Sequence, residues 1–202
     1  MVASSLSHPV WSEDMIRIYQ APKTKGIGSG RLSILKNLAL EQHRGIVNQI
    51  KRFLSQSFDE GSNEDIEKID QMDGLTACVV NQGGHREQII AVAILHLHPE
   101  VTSSIAVLTW MLVRSNLRRK GLGAFLFEVV CELARKKLGK KDQSILLAID
   151  KYAKEVKDYW VQKGFRPLPS WETDQTVLQL AKSNNYYFPG YQCHVDPFLK
   201  QI

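Results

Sequence analysis

Cysteine is scarce in this chain, and what there is stands badly for covalent or metal work. Cys78, Cys131 and Cys193 are odd in number, far apart, and form no Cys-x-x-Cys pair. That pattern argues against a disulfide framework and a zinc site, and fits reduced thiols in an intracellular protein, cytoplasmic or nuclear. No apolar run approaches the ~20 residues needed to span a bilayer. The opening residues, Met1 to Pro9, lack a charged region followed by an apolar one, so no secretory signal is expected. Neither sign of charge dominates: 26 Lys and Arg against 21 Asp and Glu leave a net charge of +5. Such a balance suits nucleic acid or a ligand carrying several phosphates. The densest basic run, Arg135-Lys136-Lys137 with Lys140-Lys141, has no aromatics interleaved. That argues for a solvated helix end and against a nucleic-acid groove. Internal repeats are absent. A length of 202 residues, 44% of them hydrophobic, suits one domain over residues 1–202, with a flexible segment over about 1–14 and an irregular tail over about 183–202.

What the chain does have is a strand, a basic Gly-rich turn and a helix in succession. Ser104 to Val113 reads as a buried strand. Arg118-Arg119-Lys120-Gly121-Leu122-Gly123-Ala124 follows, and Leu122, Phe125, Leu126, Val129, Val130 and Leu133 then recur at helical spacing. A helix that begins on such a turn aims unsatisfied backbone N–H groups, and the positive end of its dipole, at one point. Gly121 and Gly123 let the backbone close on a ligand without a Cβ in the way. The turn is an anion site best suited to phosphate.

Arg118-x-x-Gly121-x-Gly123 resembles the pyrophosphate-binding loop of the GNAT superfamily of N-acetyltransferases. One strand (Ser144 to Ile149) and one helix further on, Tyr159-Trp160-Val-Gln-Lys-Gly164-Phe165 resembles the signature that closes that superfamily's fourth conserved segment. Two modest patterns in the right order, with the right elements between them, are far more specific than either alone. The resemblance implies an α/β (α+β) GNAT fold: a central mixed, mostly antiparallel sheet with a splayed parallel strand pair and helices on both faces. It implies an enzyme that moves acetyl from acetyl-CoA to a primary amine; no metal is expected, because His96 and His98 have no third ligand at useful spacing. Protein lysine is slightly preferred over a small amine, because Asp150-x-Tyr152-Ala153 and Tyr159-Trp160 resemble the histone acetyltransferase branch. The competing reading is an acyl-CoA-binding sensor without catalysis. Partners follow from the resemblance: acetyl-CoA and an amine acceptor, with no membrane.

The same resemblance assigns residues. Met111, Leu112 and Val113 would offer backbone groups to the pantetheine, with an N–H near Leu112 polarising the thioester carbonyl. Amides from Arg119 to Ala124, through Lys120, Gly121, Leu122 and Gly123, would hold the pyrophosphate, and Arg118, Arg119 and Lys120 would neutralise it. Tyr159 is the expected proton donor to the departing thiolate, against the alternative that it packs in the core, with Tyr152 as second candidate. Trp160 cannot donate in this sense. Adjacent helical residues point about 100° apart, so Tyr159 and Trp160 cannot both face the thioester. Asp150 is the expected base, since Val107 stands where the histone branch carries a glutamate. His96 and His98 share one face of a strand and titrate near neutrality, but read as strand-end surface residues.

Elsewhere the patterning predicts an opening strand over Met15–Tyr19, a flexible loop over Ala21–Gly30, and helix from Leu32 to Phe58 divided near Gly45. A helical turn is expected at Glu64–Asp70. Strands are expected over Leu75–Val80, Gln88–His98 and residues 104–114, with a hairpin turn at Gln82–His85, and a late strand over Thr176–Leu180.

Overall fold

The computed structural model describes residues 19–20, 30–36, 44–57, 66–67, 69, 74–81, 88–139, 141–184 and 195–202. The N-terminal segment, nearly all of the opening strand and of the 21–30 loop, the 82–85 turn and the aromatics Tyr186, Tyr187, Phe188 and Tyr191 lie outside them. Among the described residues, eight strands form one sheet: β1 (Tyr19–Gln20), β2 (Gly30–Lys36), β3 (Gly74–Asn81), β4 (Gln88–Leu97), β5 (Ile105–Val113), β6 (Ser144–Asp150), β7 (Arg166–Pro167) and β8 (Val195–Gln201). Their spatial order is β1-β2-β3-β4-β5-β6-β8-β7. Every pairing is antiparallel except β5 with β6. A parallel pair needs a crossover, and the helix that follows the Gly-rich turn supplies it.

Among the described residues, the helices that cover the sheet are α1 (Arg44–Ser55), α2 (Leu122–Lys137), α3 (Lys154–Gln162) and α4 (Gln175–Ser183). The apolar stripe of α2 buries Leu122, Leu126, Val130 and Leu133 against Ala93, Leu95, Leu108, Ile145 and Leu147. Trp160 of α3, with Phe165 just beyond it, closes the same cluster. On the opposite face α1 packs Val47, Ile50, Phe53 and Leu54 on Ile89, Val92, Ile94 and Leu112. There too, α4 packs Val177, Leu180 and Ala181 on Val107 and Leu146. The mixed sheet, its parallel pair and helices on both faces agree with the expected fold.

Three local expectations need correcting. Residues 32–36, expected as the start of a helix, are strand. Leu32 and Ile34 alternate with Arg31 and Ser33, and seven residues pair in unbroken register with β3, so cross-strand pairing overrides helix propensity. Thr176–Leu180 is not a strand. Asp174 accepts the amide hydrogens of Thr176 at 2.7 Å and Val177 at 3.2 Å, an N-cap, and Val177, Leu180 and Ala181 fall at helical spacing. The tail is not irregular throughout, because β8 inserts between β6 and β7. Pro197 within β8 is the kind of residue that argues against a strand, which hid it.

Candidate active site

The site begins where β5 and β6 part. Their ladder holds only Ile105 with Ser144, Ala106 with Ile145 and Val107 with Leu146. Beyond it, β6 continues against β8 as far as Asp150, and β5 continues against β4 as far as Val113. From Leu108 onward the edge of β5 that faces β6 has no ladder partner among the described residues. A V-shaped opening results, and free backbone N–H and C=O groups line one arm.

A bulge sits at the apex of this V. Ile94 pairs with Trp110 and Leu95 with Leu108, so Thr109 is the extra residue on β5. It resets the phase of the strand. Leu108 and Met111 lie on the α2 face. Trp110 lies on the α1 face, and Thr109 turns the same way to reach His96.

Past Val113 the chain makes a one-turn 3-10 helix, Ser115–Leu117, and then enters the Gly-rich turn. Arg119 (φ 61°) and Gly121 (φ 84°) are both left-handed. Only glycine adopts that conformation without strain, and no atom lies within 4 Å of where a Cβ on Gly121 would stand. Gly121 is also the N-cap of α2 and supplies no side-chain cap; the first helical bond runs from the amide of Phe125 to Gly121 O. The amides of Leu122, Gly123 and Ala124 are therefore free among the described residues, at the positive end of a 16-residue helix. Arg119 and Lys120 are exposed. Arg118 donates from Nε to the carbonyl of Val113 at 3.0 Å, which ties the turn to the end of β5. An open cleft of about 960 Å³ adjoins Arg118 on the α1 side, with Arg52, Arg114, Gln49, Gln56 and Gln88 in its wall.

The two aromatic neighbours on α3 divide as helix geometry requires. Trp160 is buried, edge-on to Phe127 and Phe165 at 5.3 and 5.2 Å between ring centres. Tyr159 is half-buried and points at the turn. Its hydroxyl is 3.5 Å from the Cβ position of Gly123, with Val113 Cγ2 at 3.6 Å and Met111 Cε at 3.8 Å from that same point. Burial raises the phenol pKa, so the group stays protonated at neutral pH. The hydroxyl has no hydrogen-bond partner among the described residues.

Other expected residues lie elsewhere. Asp150 is exposed at the end of β6, and its Oδ1 accepts the amide hydrogen of Tyr152 at 2.7 Å, a turn contact. By alternation with Ile149, which lies in the α2 core, it faces away from Tyr159. Tyr152 is 86% exposed. Leu112 points into the α1 cluster, so it can contribute only backbone. His96 corrects the surface reading: it is 1% exposed, and its Nδ1 lies 2.7 Å from Thr109 Oγ1. Its pKa is pulled down to about 4, chiefly by burial and then by the neighbouring His98. His98 sits further out, with Asn184 Nδ2 2.9 Å from its Nε2 and Glu100 Oε1 3.2 Å from its Nδ1. The chain signalled this only by placing a histidine inside a strand; the Thr109 partner needs the bulge to reach it.

The rest of the molecule offers no competing chemistry among the described residues. No group of three or more His, Cys, Asp or Glu is placed to hold a metal ion. No helix is long and apolar enough to cross a membrane. Cys131 is a free, buried thiol whose pKa is raised by burial.

Comparison with known proteins bears on the same region. The family described as "Acetyltransferase (GNAT) family" matches residues 43–165, from the edge of α1 to Phe165. No curated protein matches the chain. Among solved structures, an acetyltransferase from Streptococcus agalactiae superposes with a TM-score of 0.60 at 17% identity, covering 85% of this chain and 98% of the other. Tetrahymena GCN5 gives 0.58 at 14% identity, covering 85% and 95%. Arabidopsis thaliana Naa50, in complex with the bisubstrate analogue CoA-Ac-MVNAL, gives 0.51 at 13% identity, covering 85% and 99%.

Proposed function

We propose, from the premise that this chain belongs to the acetyltransferase (GNAT) family and is an acyltransferase using acetyl-CoA as co-substrate, that it acetylates a primary amine, with protein lysine preferred over a small amine. The observation that carries the placement of the co-substrate is the coincidence of two features. The β5–β6 ladder stops at Val107, and the uncapped amides of α2 begin a turn beyond β5.

The residues fit the ligand by charge and by backbone. Leu122, Gly123 and Ala124 present free N–H groups to the pyrophosphate, helped by the open left-handed turn at Arg119 and Gly121. Arg118, Arg119 and Lys120 supply positive charge. The free edge of β5 from Thr109 to Val113 suits the pantetheine amides, in the manner of an added strand. A backbone N–H near Leu112 is suited to the thioester oxygen. Tyr159, protonated and next to Met111 and Val113, is suited to protonate the departing thiolate. Asp150 receives less support, since its carboxylate is taken up by the turn at Tyr152.

The preference for protein lysine rests on the likeness of Asp150-x-Tyr152-Ala153 and Tyr159-Trp160 to the histone branch. A peptide-sized acceptor is also compatible with the peptide portion of the analogue bound to Naa50. The test is incubation with acetyl-CoA and a pool of lysine peptides, peptide N-termini and small amines, read by thiol release and by mass shift. Acetyl-lysine in the peptides supports the preference. Turnover confined to small amines or N-termini overturns it.

A further inference from the structure

Two buried side-chain polar atoms lack any hydrogen-bond partner among the described residues: His96 Nε2 and Thr76 Oγ1. They lie on the same side of neighbouring strands. In the register Thr76 faces Ile94, and His96 is two residues further along β4, so the two are diagonal neighbours. Thr109, on the next strand, completes the row through its 2.7 Å contact with His96 Nδ1. Three polar side chains thus run across β3, β4 and β5, between the apolar cluster under α1 and the one under α4. Each unpartnered buried group costs about 1–3 kcal/mol, and apolar residues would pack there at no such cost. The row ends at the bulge, where the V opens. Its buried member is His96 at 1% exposure, and Thr109, only partly buried, is its accessible end.

The orientation gives the row a use. Tyr159, Met111 and Val113 meet on the α2 face of the sheet. Thr109 and His96 lie on the other face, at the apex. A thioester held in the V therefore has Tyr159 on one side and the Thr109 hydroxyl on the other. We propose that the acceptor amine approaches from the Thr109 side and gives up its proton to His96 through the Thr109 hydroxyl.

The step balances. The amine nitrogen bonds to the acetyl carbonyl carbon, and the carbon–sulfur bond breaks. The departing thiolate takes the proton of the Tyr159 hydroxyl. The surplus proton on nitrogen moves to Thr109 Oγ1 as that hydroxyl's own proton moves to His96 Nδ1. Solvent then returns a proton to Tyr159 and removes one from His96. The scheme requires an imidazole that is neutral at rest, with Nδ1 bare and the hydrogen on Nε2. The lowered pKa of His96 keeps it neutral at pH 7, and so weak a base takes the proton only late, when the new carbon–nitrogen bond and the loss of thiolate have made the acceptor nitrogen strongly acidic. His96 acts through Thr109 and is in that sense a positioning residue.

This inference rests on the acetyl-transfer reading, and the experiment separates the two. The full chain is labelled with ¹⁵N-histidine, and its long-range ¹H–¹⁵N spectrum is recorded at pH 7; His96→Gln assigns the signal. The expected result is a neutral His96 ring protonated on Nε2. A ring protonated on Nδ1 overturns the relay. Thiol release from saturating acetyl-CoA is then measured with water as acceptor, so that it does not depend on which amine is used. Thr109→Val should lower kcat about 100-fold, with the Kd for acetyl-CoA changed less than about threefold, and Thr109→Ser should restore the rate. Wild-type kcat in Thr109→Val, or a Thr109→Ser as slow as Thr109→Val, overturns the inference while leaving the acetyl-transfer reading intact. Failure of the wild-type protein to bind acetyl-CoA overturns both. Thr109→Val keeps the side-chain shape, so the test stands even if His96→Gln does not fold.

Discussion

The two sides of the β5–β6 opening are built on different principles. On the α2 side the chain presents backbone: three uncapped amides at Leu122, Gly123 and Ala124, a left-handed Gly121, and a strand edge without a ladder partner beyond Val107 among the described residues. On the α1 and α4 face it presents side chains, Thr76, His96 and Thr109, brought together from three strands. Backbone recognition is local in sequence and tolerates varied side chains, provided the glycines remain. A side-chain row is long-range, depends on register, and tolerates almost no change. In the proposed scheme the first side holds the ligand and the second takes up the proton of the acceptor.

The sharpest way to break the first side is Gly121→Glu. It forces a side chain onto a φ of 84° and sets a carboxylate against the pyrophosphate. Calorimetry should show acetyl-CoA binding lost at high micromolar concentration in a protein whose circular dichroism is unchanged. Unaltered affinity would remove the turn from the site.

The second side can be read through stability. The folded pKa of His96, about 4, lies below the unfolded value of 6.5. Between those values the unfolded chain binds more protons, so stability rises with pH through the window. The contribution is fully present above pH 6.5 and is lost as pH falls to 4, about 3 kcal/mol in all. Urea midpoints measured at pH 7 and pH 5 should fall further apart for the wild type than for His96→Gln. Identical differences would mean that His96 is not desolvated as the fold requires.

Tyr159 stands on the α2 side, opposite Thr109. Tyr159→Phe should lower turnover about 10- to 100-fold with acetyl-CoA affinity within about twofold, measured by thiol release and calorimetry side by side. Equal rates would return Tyr159 to a packing role beside Trp160. The smallest expected effect is that of Arg118→Ala. Its guanidinium is exposed and tied to Val113 O, so affinity should weaken only about three- to tenfold, and the loss should shrink as salt rises.

The contrast between the faces also explains what could be read from the chain. The strand, turn and helix around Arg118–Ala124 were legible because a phosphate cradle is one continuous piece of backbone, and its glycines and cations sit next to each other. The division of labour between Tyr159 and Trp160 was legible in part: helix geometry forbids both from facing one way, but which one turns inward depends on Phe127 and Phe165. His96 was misread as a surface residue because its burial comes from elements far away in sequence, including Asn184 at the end of α4. Thr109 carried no signal at all, since only the bulge turns it toward β4. The same physics hid β2, whose leucines suit a helix until β3 lies beside them, and β8, whose Pro197 is tolerated because the sheet pairs around it. Asp150 was legible as a candidate base, but the bond from its Oδ1 to the amide of Tyr152 depends on how the chain turns after β6, which residue spacing does not give.

The proposed binding mode puts acetyl-CoA in the V between β5 and β6 with its pyrophosphate on the first turn of α2. The most direct measurement is a titration of ¹⁵N-labelled protein with acetyl-CoA, followed amide by amide. Saturable shifts at Leu122, Gly123, Ala124 and along Thr109–Val113, with stoichiometry of about one, are the predicted result. Binding that shifts other amides and leaves these unmoved would contradict it.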